Sequence, residues 1–207
     1  MKKTLALVAF AAALPVRAAS KTEDRKLGEF EAVEVSGGMR AEIVLGPAQR
    51  VMVEGDADAV GLVVTEVKGK TLQVHWAPQM AVFTNHAAVV RIAVSALEAV
   101  RTSGGAQVQV TGWTGDRAAL EASGGSSIEV SGRGKEITAE ASGGSRIIAR
   151  GLVAGRGSAA ASGGGRIEVC VNGELAATAS GGSRIGLACR PKTLTKSMSG
   201  GARIESL

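Results

Sequence analysis

The sequence predicts an all-β protein, a β-solenoid with coils of roughly 19 residues. Three observations predict it. The tripeptide Ser-Gly-Gly begins at Ser103, Ser123, Ser142, Ser162, Ser180 and Ser199, at spacings of 20, 19, 20, 18 and 19 residues. Self-similarity at a fixed period of this size marks a stacked architecture. Short runs of alternating apolar residues flank each tripeptide, which is the period of a strand with one buried face. Glycine supplies 29 of 207 residues with no period of three, while aromatic residues make up 2% and tyrosine is absent. Such a chain has turn material and small core residues in abundance, and it is not collagen.

The first segment is not part of the fold. Met1-Lys2-Lys3 is basic, Thr4 to Val16 is apolar, and Val16-Arg17-Ala18 places small residues where a signal peptidase reads. Residues 1–18 are expected to be a signal peptide and 19–26 a flexible mature amino terminus, with a single solenoid domain over 27–207. The apolar run is short and broken by Pro15, so a transmembrane helix is not expected. From Glu29 to Val94 the same grammar recurs with weaker repetition. Phe30 to Val35 runs into Ser36-Gly37-Gly38 and then Ala41 to Leu45, and further strands are expected at Arg50–Glu54, Thr71–Trp76 and Val89–Val94. Asp58–Glu66 reads as a short helix or a strand.

From Ser103 onward each unit reads as strand, Ser-Gly-Gly corner, strand, looser turn. After the corner come Val108 and Val110, Ile128 and Val130, Ile147 and Ala149, Ile167 and Val169, Ile185 and Leu187, and finally Ile204. Before it come smaller residues such as Ala122, Ala139, Ala141, Ala159, Ala161, Ala177 and Ala179. Two strands cannot bury their apolar faces alone, but copies stacked about 4.8 Å apart can. Glycine at the corner supplies positive φ and room for close stacking. The corner serines are expected to form a hydroxyl column bonding neighbouring amides. Right-handed winding is the expectation for parallel crossovers.

Charge excludes some functions. The formal net charge is +5. Loss of Lys2, Lys3 and Arg17 with the leader leaves 21 basic residues against 19 acidic. Nucleic acid is therefore not an expected partner, and the missing aromatics argue against stacking platforms.

The segments Phe30 to Gly38, Val51-Met52-Val53-Glu54-Gly55-Asp56, Thr65-Glu66-Val67 and Thr71-Leu72-Gln73-Val74, with the serial Ser-Gly-Gly-Ser corners after them, resemble a bacterial family. It is the head GIN domain family (DUF2807), described as auto-transporter adhesin heads. The resemblance implies a right-handed parallel β-helix of the pectin-lyase-like kind, exported and trimeric, with a role in adhesion. It carries over no catalytic residues.

Four candidate features stand out. Arg146, Arg166, Arg184 and Arg203 each lie four residues after a corner serine and next to an inward isoleucine. They are expected to form an outward column about 5 Å apart, with Glu129, Glu168 and Glu205 two positions on. This is either an anion stripe for acidic polysaccharide or lipopolysaccharide, since guanidinium forks match carboxylate and phosphate, or a solvated face of cross-strand ion pairs. The segment from His75 and Trp76 through Phe83 to His86 interrupts the pattern, as a binding loop or a hairpin packed on the solenoid. Cys170 and Cys189, one repeat apart, are candidates for a disulfide in an oxidising compartment, with free thiols as the alternative. The last coil, Ser199 to Leu207, shows no capping helix, which leaves self-association open.

No metal or cofactor is expected. The four aspartates, Asp24, Asp56, Asp58 and Asp116, offer no cluster for a lyase-type calcium site. The expected function is that of an exported, non-catalytic binding or adhesin-head-like solenoid, in the periplasm, on the outer membrane or secreted from a Gram-negative bacterium. The alternatives are a self-associating envelope protein, or less plausibly a carbohydrate-active enzyme.

Overall fold

The computed structural model describes residues 20–78 and 88–207. The expected signal peptide, and Phe83 and His86 of the candidate loop, lie outside the described residues. The chain forms β1 (Ser20–Arg25), β2 (Ala32–Val35), β3 (Arg40–Leu45), β4 (Arg50–Asp56), α1 (Ala57–Val60), β5 (Val63–Lys68), β6 (Thr71–Trp76) and β7 (Ala88–Val94). There follow β8 (Ala99–Thr102), β9 (Gln107–Ala122), β10 (Ser127–Ala141), β11 (Arg146–Ala161), β12 (Arg166–Ala179), β13 (Arg184–Leu187), β14 (Thr193–Met198) and β15 (Arg203–Ser206).

From β8 onward the chain winds as a β-solenoid of about five turns. Each of β9 to β12 runs from one Ser-Gly-Gly corner to the next. Parallel pairing brings like residues over one another: Ile128 over Ile147, then Ile167, Ile185 and Ile204. All five are buried, the first four completely. Alanines line the opposing arm, so the cross-section is thin. The wider third side is filled by Trp113, Leu152, Ala154 and Val171.

The corners stack as well. Gly104, Gly124, Gly143, Gly163, Gly181 and Gly200 all have φ between +59° and +67°. A Cβ on any of them would come within 3.0–3.5 Å of the backbone of the glycine before it, a column that begins at Gly37. Glycine is required here twice over, for its backbone angle and for the close approach.

The hydroxyl column differs from expectation. The leading corner serines are partly or fully exposed, and the buried ones are the fourth residues, Ser126, Ser145 and Ser183, each 1% exposed. Ser145 Oγ donates to Ala122 O at 2.7 Å and accepts from Ser142 N–H at 3.1 Å. Ser183 Oγ does the same with Ala161 O at 2.9 Å and Ser180 N–H at 3.1 Å. Each ties its own corner to the coil before it.

The amino-terminal half also departs from the simple repeat. After the first corner at Ser36-Gly37-Gly38 the chain leaves the winding, lays β6 beside β2 and β7 beside β3 in parallel, and returns as β8 on the other side of β2. β5 pairs antiparallel with β6, and β4 pairs antiparallel with both β7 and β1. The tight turn at Gly69, φ +61°, joins β5 to β6 with too few residues for a parallel crossover. Residues 20–25, expected to be flexible, form β1 against β4. At this end α1 buries Ala59 and Val60, and Arg25 Nη2 donates to Val60 O at 2.8 Å.

Among the described residues, no helix lies over the carboxyl-terminal end. Instead Lys196 occupies the inward register position of Ala177, and its Nζ donates to Ile204 O at 3.4 Å. An inward charge on an edge strand is a recognised guard against edge-to-edge pairing.

Candidate functional site

Strand parity places the candidate site. In the arm after each corner the isoleucine points inward, so the residue before it points outward. Register then stacks Arg146 over Arg166, Arg184 and Arg203 in four successive coils, one strand spacing, about 4.8 Å, apart. The column runs further than these four. Arg40, Gln107 and Ser127 occupy the same register position in the preceding strands, with Ser127 opposite Arg146. All three lie four residues after a corner serine, the same offset as the arginines. That shared offset was the signal available in the sequence.

Electrostatics distinguish this column from its surroundings. Arg184 Nε lies 3.3 Å from Glu205 Oε1, and Arg40 Nη2 donates to Gln107 Oε1 at 3.0 Å. The side chains of Arg146, Arg166 and Arg203 have no hydrogen-bonded or ion-paired partner among the described residues. Two unit charges 5 Å apart repel by about 1 kcal/mol in water, a tolerable cost that an incoming anion would reverse. Among the described residues, Glu205 is the one carboxylate two positions on that pairs with the column, through Arg184. Glu42 is held by Arg91 at 2.7 Å and Glu168 by Arg150 at 3.5 Å.

Other ion pairs behave as structural couples. Arg156 donates two hydrogen bonds to Glu136 and holds its carboxyl below the ordinary range. Arg50 does the same to Asp24. In both pairs each charge has its counterpart in place, unlike the three unpaired arginines of the column.

The remaining candidates fall as follows. His75 and Trp76 are strand residues of β6, opposite Val64 and Val63 of β5, and do not belong to a loop. His75 Nδ1 is 2.8 Å from Trp76 O and its Nε2 is 3.7 Å from Glu66. Trp76 packs against the core, with its ring beside Gly37. Cys170 and Cys189 form a disulfide with a Cα separation of 4.6 Å. The one-residue difference in repeat offset is absorbed after β13, where Ala188 N–H still bonds Val169 O at 2.8 Å. On the opposite sheet, a groove of about 420 Å³ runs beside the leading corner serines, with Glu34, Arg101, Glu121 and Glu140 along one part. Arg101 there is paired with Glu121 at 3.2 Å.

Comparisons with known proteins bear on the whole chain. Residues 29–191 match the model of the family described as "putative auto-transporter adhesin, head GIN domain". A crystal structure of a "putative adhesin" from Bacteroides fragilis is similar at a TM-score of 0.76 and 17% identity, covering 92% of this chain and 98% of that one. A "putative adhesin" from Parabacteroides distasonis aligns at a TM-score of 0.56 and 17% identity, over 92% and 98%. A "putative lipid binding protein" from the same species aligns at 0.53 and 17%, over 91% and 96%. At these identities the likeness is one of fold. No protein of curated function matches.

Proposed function

Because the chain belongs to the head GIN domain family, we propose that it is an exported, non-catalytic solenoid of the bacterial cell envelope that binds an anionic surface polymer, acidic polysaccharide or lipopolysaccharide. One observation carries this reading: the side chains of Arg146, Arg166 and Arg203 are stacked in register, exposed and unpaired, whereas Arg50, Arg91, Arg101, Arg150 and Arg156 elsewhere on the molecule have carboxylates in place. Guanidinium groups bind carboxylate and phosphate in a bidentate fork, and a rigid sheet fixes the backbones of four of them, leaving only the side chains to be ordered on binding. The disulfide between Cys170 and Cys189 suits an oxidising compartment and supports export. Adhesion is the role that the family description attaches to such heads.

The test is retention on heparin resin at low salt. Wild-type protein is expected to be retained and to elute with rising salt. The variant carrying Arg146→Gln, Arg166→Gln, Arg184→Gln and Arg203→Gln is expected in the flow-through, with an unchanged circular dichroism spectrum. Equal retention of the two proteins would reject the arginine column as the site.

A further inference from the structure

Resting on that reading, we infer that the binding surface is a seven-strand track from Arg203 to Arg40, and that it takes an extended, linear acidic glycan lying along the solenoid axis. The residues in register are Arg203, Arg184, Arg166, Arg146, Ser127, Gln107 and Arg40. None is acidic. Past Arg40 the column turns to Val89, and β15 is the last strand at the other end. Six strand spacings give a track about 29 Å long.

The direction of the ligand follows from what lies beside the track. Two residues further from the corner, the next outward column carries Glu42, Glu129, Glu168 and Glu205. A polyanion lying along β3, β10, β12 or β15 would have to cross one of those carboxylates, while Gln109, Ile148 and Gly186 hold the position in β9, β11 and β13 and add no charge to attract it. One lying across the strands, close to the corners, meets only guanidinium, amide and hydroxyl groups. The pitch also fits, because one strand spacing approximates the length of one pyranose unit.

Chemistry along the track is uneven, and this sets the ligand class. The four carboxyl-terminal positions are cationic and bind charge. Gln107 and Ser127 are neutral and offer hydrogen bonds without a countercharge. Arg40 resumes the charge three spacings beyond Arg146, about 14 Å away. A depression of about 200 Å³ is bounded by Arg40, Gln107 and Ser127, with Glu42 and Glu129 on its far wall. A compact phosphate headgroup reaches only part of this surface, whereas a polyuronate chain reaches all of it.

The experiment compares two oligogalacturonates, one long enough to span the four carboxyl-terminal arginines and one long enough to span all seven strands. Affinities are measured by calorimetry on the wild type, Arg40→Gln and Arg166→Gln. The longer oligomer is expected to bind the wild type more tightly. Arg40→Gln is expected to weaken it about 3–10-fold, to reduce its salt slope by roughly one charge, and to leave the shorter oligomer unaffected. Arg166→Gln is expected to weaken both. If the two oligomers bind alike and Arg40→Gln is silent, the track is overturned while the arginine column stands. Binding only to lipopolysaccharide vesicles, indifferent to Arg40→Gln, would likewise overturn it. If neither oligomer nor vesicle binds the wild type, the column itself fails.

Discussion

Gly132 lies opposite Trp113 with φ +141°, and a Cβ there would sit 2.3 Å from the Trp113 carbonyl oxygen. Gly28, by contrast, has open space around it and an ordinary backbone angle. Gly132→Ala is therefore expected to destabilise by at least about 2 kcal/mol, while Gly28→Ala is neutral or stabilises by up to about 1 kcal/mol. The urea denaturation midpoint is expected to fall for Gly132→Ala and to hold or rise for Gly28→Ala, and equal midpoints would refute the steric account. The same scale shows what single residues reveal in a sequence. Parity against the isoleucines turned Arg146 outward, and the same parity turns Ser145 inward. The buried serine column was thus available in the alternation, but the more prominent leading serine drew the assignment. Arg40 was hidden for another reason: its coil stands alone, separated from the regular series by residues 46–98.

At the scale of elements, the disulfide joins the end of the β12 core arm to the segment after β13. It closes a loop of one coil, which constrains the unfolded chain by about 3 kcal/mol in the loop-entropy account. Cys170→Ser with Cys189→Ser is expected to lower stability by about that amount. Hydrogen exchange should accelerate first in β13, β14 and β15, because solenoid coils are held mainly by their neighbours. Uniform acceleration from β8 to β15 would contradict this. The repeat makes the two arms flanking each corner legible, since period and alternation agree there, whereas the third side around Trp113, Leu152 and Val171, which reads as a looser turn, is continuous strand. Alternation makes β4 legible as a strand but not in direction, and it leaves Asp58–Glu66, which overlaps β5, open between helix and strand. Their pairing is decided by a two-residue turn at Gly69 and by β7 lying between β3 and β4, neither of which alternation encodes.

For the whole molecule, the two ends are closed differently. One is covered by β1 and α1, and the other ends on Lys196 facing the position that an alanine occupies in the coil before. Lys196→Ile would remove the only charge at that inward position and complete an apolar edge. This variant is expected to associate in light scattering at concentrations where the wild type stays dispersed, and identical mass for both would show that the charge is not the guard. The candidate site belongs to this scale as well, since no single strand holds more than one residue of it. Because each turn of the winding advances the track by one strand width, the protein's length acts as a ruler. Duplicating a coil such as residues 142–161 would lengthen the cationic surface by a fixed step, so evolution could match the protein to longer polymers by gene duplication without redesigning any contact.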